Sequence, residues 1–183
     1  MAVEQPRTLT YADYAALPDD GRRFELIDGE LFEMAAPSTR HQDIVLRLGY
    51  TFLHHLRRRG GGRVYVAPCD VVLSDTVTVQ PDVVYLSEAD PHRVTAPNIQ
   101  GPPTLVVEVL SVPRHDLVRK RELYARFRVP EYWVVHPDAD RVEVYRLADT
   151  RAYAKPLVLE PGEQLTTALV PGLTIDVAEL LAL

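Results

Sequence analysis

Leu105-Val106-Val107-Glu108-Val109-Leu110-Ser111 decides the reading of this chain. It is an apolar run with one carboxylate in its middle. Side chains alternate along a β-strand, so Val106, Glu108 and Leu110 share one face and Leu105, Val107 and Val109 the other. Both faces are apolar, and neither reads as the solvent side. An ionised Glu buried there alone is strongly unfavourable. It requires a cation, either a side chain or a metal ion.

Two neighbouring stretches supply candidates. Upstream, Gln80-Pro81-Asp82-Val83-Val84-Tyr85-Leu86 is a second apolar strand opened by an Asp. Downstream, Lys120 lies on a helix predicted from Asp116 to about Phe127. Helical spacing gives Leu117, Lys120, Tyr124 and Phe127 one face, so the lysine falls among apolar residues on the side that meets the sheet. Asp82, Glu108 and Lys120 are the parts of a magnesium-dependent phosphodiester-hydrolysing centre. Mg²⁺ prefers oxygen ligands and keeps several waters, so Asp82 and Glu108 suffice, with the carbonyl of Val109 as a third ligand. Mn²⁺ is the natural substitute. The metal polarises the phosphate and helps make hydroxide. The lysine orients the water or neutralises the phosphate. Plainer alternatives stay open: Asp82 as a turn residue, Glu108 as half of a buried salt bridge, Lys120 as the i,i+4 partner of Asp116. A direct Glu108–Lys120 contact with no room for an ion would favour a purely structural pair. Glu25, on the first predicted hairpin, and His41, on the long helix, are candidate accessory acids or bases. Capping or core-edge roles are the alternative for both.

The rest of the chain frames these residues. Thr10 caps a short helix over 11–17. Strands over 23–27 and 30–34 are joined by Asp28-Gly29, a two-residue hairpin signal. Ser38 opens a helix to about Arg59, with Ile44, Val45, Leu48, Phe52, Leu53 and Leu56 as its apolar stripe, and Gly60-Gly61-Gly62 stops it. Further strands fall at 63–67, 69–73, 82–86, 104–111, 131–136 and 141–147, with 152–159 pairing beyond. The span 87–103 reads as a loop, and a short helix closes the chain over 177–181. This order predicts one α/β (α+β) domain over 1–183: a mixed central β-sheet flanked by helices, with an N-terminal β-hairpin.

The net charge of −6 argues against attachment to nucleic acid through overall charge. Charge is uneven, however. Arg114, Arg119, Lys120, Arg121, Arg126 and Arg128 face only Asp116 and Glu122 in their stretch, and Arg57, Arg58, Arg59 and Arg63 form a second cluster. Such strips can hold a nucleic-acid backbone over a carboxylate site. For Arg57 to Arg59, a helix C-terminus matched to its dipole serves equally. One cysteine, Cys69, excludes an intrachain disulfide, fits a reducing cytosol and reads as a small buried strand residue. Apolar runs are strand-sized, and the first residues lack an apolar signal core, so a cytoplasmic protein without a membrane span is expected. His54 and His55 have no zinc-site spacing, and neither a Gly-rich phosphate loop nor a G-x-S-x-G elbow is present.

Several blocks resemble one family. Phe24-Glu25-Leu26-Ile27-Asp28-Gly29-Glu30-Leu31 and Pro37-Ser38-Thr39-Arg40-His41-Gln42 resemble the opening of the Uma-type restriction endonuclease family. Gln80-Pro81-Asp82-Val83, the Glu108 strand, and the block from Asp116 through Lys120 and Tyr124 to Val129-Pro130-Glu131-Tyr132-Trp133-Val134-Val135 resemble it too. The family is a branch of the PD-(D/E)XK nucleases. The resemblance runs from about Tyr11 to Leu147 and implies a nuclease-like sheet with a helix on each side. It also implies metal ligation by Asp82 and Glu108. The usual lysine two residues after the Glu is displaced here, since that position is Leu110, and its role falls to Lys120. Three departures stand out: the segment between Ser111 and Asp116 is short, Arg128 stands where Gly before Val-Pro is usual, and His136 stands where Asp before Pro is usual. The substrate implied is DNA. No separate DNA-reading module is visible. A chain this short needs a second copy to span a duplex, which predicts a homodimer. A nuclease-fold protein that binds without cutting is the competing reading.

Overall fold

The computed structural model describes residues 7–90, 93–110, 117–148 and 151–182. Helix α1, Tyr11–Ala15, begins at Thr10, whose side chain and Asp13 form a reciprocal capping box. Strands β1, Arg23–Ile27, and β2, Glu30–Met34, form the expected hairpin. Its two turn residues both adopt positive φ, 52° at Asp28 and 83° at Gly29, as the turn that matches strand twist demands. A side chain at position 29 would also strike Thr8, since a Cβ there would lie 2.3 Å from its methyl. Helix α2, Thr39–Arg59, starts at the Ser38 cap and ends at Gly60.

There follow β3 (Gly62–Val66), β4 (Val71–Ser74), β5 (Val77–Val79), β6 (Val83–Ser87), β7 (Ile99–Gln100) and β8 (Leu105–Val109). Helix α3 (Leu117–Arg126) leads to β9 (Glu131–His136), a short 3-10 turn, β10 (Arg141–Arg146) and β11 (Leu157–Leu159). A small hairpin, β12 (Gln164–Thr166) with β13 (Thr174–Asp176), precedes α4 (Val177–Leu181).

Where the sequence predicts one mixed sheet, the structure has two larger ones. A six-stranded sheet runs β11-β10-β9-β8-β6-β3, parallel only between β8 and β9. A five-stranded sheet runs β2-β1-β5-β4-β7 and includes the N-terminal hairpin. The difference comes from β5, three residues too short to show a period, which pairs with both β1 and β4. From β5 the chain crosses directly into β6 through Gln80-Pro81-Asp82. Proline has no N–H for a ladder, so pairing breaks there and one extended run serves both sheets.

Both faces of β8 are covered. Leu105, Val107 and Val109 pack with Ile44, Leu48, Phe52 and Leu56 of α2, and with Trp133. Phe52 meets the Trp133 ring at 5.8 Å. Val106 packs on the other side with Leu123 and Tyr124 of α3, and with Val71, Val77 and Ile99 of the second sheet.

Smaller differences have local causes. Helix α1 stops at Ala15, ahead of Pro18. Leu53 leaves the predicted α2 stripe and is 43% exposed. In 152–159 only the last three residues are strand. The predicted loop 87–103 contains β7, held by its parallel pairing with β4. Cys69 is half-buried and lies outside a strand, and burial pushes its thiol pKa up. Ser111 to Asp116, with the proposed Asp116–Lys120 pair, lies outside the described residues. No helix among the described residues is long and apolar enough to cross a membrane.

Candidate active site

Strand register sets Asp82 beside Glu108 along the backbone. In the β6–β8 pairing Val83 lies opposite Val107, which brings Asp82 beside Glu108. Asp82 lies just before β6, and its Oδ2 accepts the Val109 N–H at 2.7 Å. The same oxygen lies 3.1 Å from Nε2 of His41. His41 sits in the first turn of α2, where the Ser38 hydroxyl accepts its backbone N–H. Both His41 and Asp82 are buried. The Nδ1 of His41 is buried with no hydrogen-bond partner among the described residues.

Lys120 reaches the centre from α3. Its Nζ donates to Glu108 Oε1 at 2.9 Å and to Glu25 Oε1 at 2.6 Å. One turn later Tyr124 donates its hydroxyl to the same Glu108 oxygen at 2.8 Å. Glu25 comes from β1 of the other sheet, and its Oε1 also accepts the Gln80 N–H at 2.9 Å. The Gln80 side chain accepts from Arg23 and donates to Asp70 and to the hydroxyl of Tyr14. The crossing at Pro81 thus ties the two sheets to one point.

All five sequence-derived side chains are buried: Glu25 and Glu108 meet on Lys120, and His41 meets Asp82, which is tied to the Glu108 strand through Val109. Val109 contributes its N–H to Asp82. In the sequence Tyr124 reads as a helix-face residue and Gln80 as part of a motif. Tyr124 has a legible signal, one turn after Lys120. The role of Gln80 depends on the meeting of two sheets and has none. The basic strip of α3 is largely engaged: Arg126 pairs with Asp28, Arg119 lies over Phe32 and Arg121 over Tyr145.

Burial works against the charge on Lys120, but the carboxylates of Glu108 and Glu25 outweigh it and hold the ammonium above its ordinary pKa. Burial, then Glu108, raises the Tyr124 phenol well above its ordinary value, so it remains a donor. Buried Glu25 and Glu108 share Lys120, while buried Asp82 is held by the Val109 N–H and by His41. Among the described residues no three His, Cys, Asp or Glu side chains are grouped closely enough to cradle an ion as they stand. Lys120 stands between Glu25 and Glu108.

Glu25, His41, Asp82, Glu108 and Lys120 all lie in the blocks on which the sequence resemblance rests. A sequence model of the family described as "Uma2: Putative restriction endonuclease" matches residues 11–178. This chain belongs to the Uma2 family. Its fold is shared with the crystal structure of a "putative nuclease belonging to DUF820" from Anabaena variabilis ATCC 29413. That likeness has a TM-score of 0.79 at 17% identity, covering 94% of this chain and 97% of the other. At such identity it speaks for the fold alone. Among curated proteins none matches this chain. Membership of the Uma2 family supports a nuclease-type hydrolase activity.

Proposed function

We propose that this Uma2 chain is a divalent-metal-dependent endonuclease that hydrolyses DNA phosphodiester bonds by attack of water. The observation that carries the reading is the set of three buried carboxylates, Glu25, Asp82 and Glu108, at the junction of the two sheets, with Lys120 bridging two of them. The donor set fits Mg²⁺, or Mn²⁺ in its place: all ligands are oxygen, and one or two carboxylates suffice because the ion keeps several waters. Asp82 and Glu108, with the Val109 carbonyl, would hold it. When bound, the ion supplies Lewis acidity toward the phosphate and lowers the pKa of water.

The remaining roles belong to the chain itself. Lys120, held in its charged form, neutralises negative charge that develops on the phosphate rather than taking a proton from water. Glu25 fixes the position of Lys120, and Tyr124 that of Glu108. His41 is the acid–base group, held through Nε2 by Asp82 with Nδ1 unpartnered among the described residues. A cytosolic setting is proposed as well, on the strength of a single cysteine in the chain.

A second reading has one observation in its favour. The direct Glu108–Lys120 contact at 2.9 Å fits a structural ion pair in a nuclease-fold module that does not cut. Plasmid and single-stranded DNA cleavage with Mg²⁺ or Mn²⁺, with EDTA controls, separates the two. Cutting by the wild type that is lost in Asp82→Ala, Glu108→Ala and Lys120→Ala establishes the nuclease. No cutting and no metal binding by calorimetry favours the non-cutting module.

A further inference from the structure

The outer face of α2 carries a seam that no described residue covers. Leu46, Tyr50 and Leu53 are 70%, 65% and 43% exposed. Asp43 and Arg57, also exposed, continue the line at its two ends. At ~100° per residue these five positions fall within an arc of about 80°. The arc lies opposite Ile44, Leu48 and Phe52, which face the sheet. The spacing is three, four, three, four, the alternation that lets one helix lie along another. One flank is closed by α4, whose carbonyls at Glu179 and Ala182 accept from Arg47. The other is closed by β3, where Val66 lies under Gly49. Among the described residues neither Asp43 nor Arg57 makes an ion pair.

We infer that this face is the interface between two copies of the chain, with the two α2 helices packed antiparallel about a twofold axis near Tyr50. The order of residues selects this occupant. Asp43 and Arg57 each lie seven residues from Tyr50, one acidic and one basic. A twofold axis brings residue i of one copy to residue j of the other and j to i. Antiparallel packing therefore sets Asp43 against Arg57 of the other copy twice, with Leu46 near Leu53 and Tyr50 near its own equivalent. Parallel packing would set like charges together. A nucleic-acid backbone would meet three apolar side chains and an acid. The inference is independent of the proposed chemistry, since none of the five residues belongs to the candidate active site.

Sedimentation equilibrium of the full chain at low salt tests it, with circular dichroism to verify that each variant folds. The wild type is expected to be a dimer at micromolar concentration. Asp43→Arg and Arg57→Asp each turn attraction into repulsion at two places and are expected to weaken association about tenfold, from the modest energies of exposed pairs. Asp43→Arg/Arg57→Asp restores it, because the pairs re-form with their signs exchanged. An equimolar mixture of the two single variants associates more tightly than either alone. Tyr50→Glu leaves a monomer. A wild type that stays monomeric at 100-fold higher concentration, or a dimer indifferent to Asp43→Arg and Tyr50→Glu, overturns the proposal. So does a double variant no better than the singles, or a monomer whose duplex-DNA binding is lost in Arg57→Asp.

Discussion

Lys120 balances two buried carboxylates, so its removal is costly in a way that ordinary surface lysines are not. Lys120→Met removes the cation that Glu25 and Glu108 share. Breaking a buried pair from one side costs about 3–5 kcal/mol, and urea unfolding at neutral pH is expected to show a loss of that size, with cleavage abolished. Asp82→Asn separates chemistry from stability. The amide oxygen still accepts the Val109 N–H, so unfolding should change by less than about 1 kcal/mol while cutting disappears; a large stability loss would mark Asp82 as structural. The pH dependence of Lys120 has a definite sign. Its folded pKa lies above the ordinary lysine value of 10.5. Its stabilising contribution is therefore complete below that value and is lost only as pH rises through the higher folded one. The stability gap between wild type and Lys120→Met should stay constant from pH 7 to the ordinary lysine value. A gap that closes between neutrality and pH 9 would mean that the lysine is neutral in the fold.

Helix α3 delivers Lys120 and Tyr124, and its far end is fixed by a Schellman motif. Val129 N–H donates to Tyr124 O and Arg128 N–H to Ala125 O. Arg128 occupies the left-handed position of that motif, with φ 61°, which accounts for glycine being usual there. Arg128→Gly is expected to raise stability by about 1 kcal/mol without altering cleavage, measurable as a shift of the urea midpoint at unchanged slope. This element was half-readable in advance: the sequence placed Lys120 on an inward helix face and noted the odd Arg, but a backbone dihedral is not visible in residue spacing. The same division holds across the fold. Long periodic segments such as α2, and runs such as β8 and β9, were legible because many residues repeat one pattern. The strands β5, β7, β12 and β13 were not, since two or three residues carry no period and pair only because neighbours are already in place. Within the site, Glu108 announced itself as a charge in an apolar strand, and Lys120 as a cation on an apolar face. That Glu25 meets Lys120 and His41 meets Asp82 depends on how the two sheets and α2 come together, which no local signal encodes. The exposure of Leu53 was misread for a related reason: its spacing fits the edge of the buried stripe, and only the seating of α2 against β3 and α4 turns it outward.

At the scale of the molecule, the site gathers side chains from both sheets and both long helices: Glu25 from the five-stranded sheet, Glu108 from the six-stranded one, Asp82 from the crossing between them, His41 from α2 and Lys120 from α3. Whatever stabilises that point stabilises the packing of these layers against one another. On the proposed reading a divalent cation held by Asp82 and Glu108 would bind only the folded chain, and such an ion adds its binding energy to global stability. At a free Mg²⁺ concentration 100 times the dissociation constant, the gain is about 2.7 kcal/mol. For a chain of this size each kcal/mol corresponds to roughly 2–4 °C in the unfolding midpoint, so thermal unfolding with saturating Mg²⁺ should rise by roughly 5–11 °C and fall back on addition of EDTA. Asp82→Asn and Glu108→Gln should abolish most of that rise. Arg128→Gly, remote from the ligands, should shift the baseline upward and leave the Mg²⁺ increment intact. This readout requires no substrate and no turnover, so it distinguishes a metal centre from a lysine–carboxylate staple even in a protein whose preferred nucleic acid has not been found. A wild-type midpoint unmoved by Mg²⁺ and Mn²⁺ would remove the metal from the mechanism and leave Glu108, Glu25 and Lys120 as the charged clasp between the two sheets.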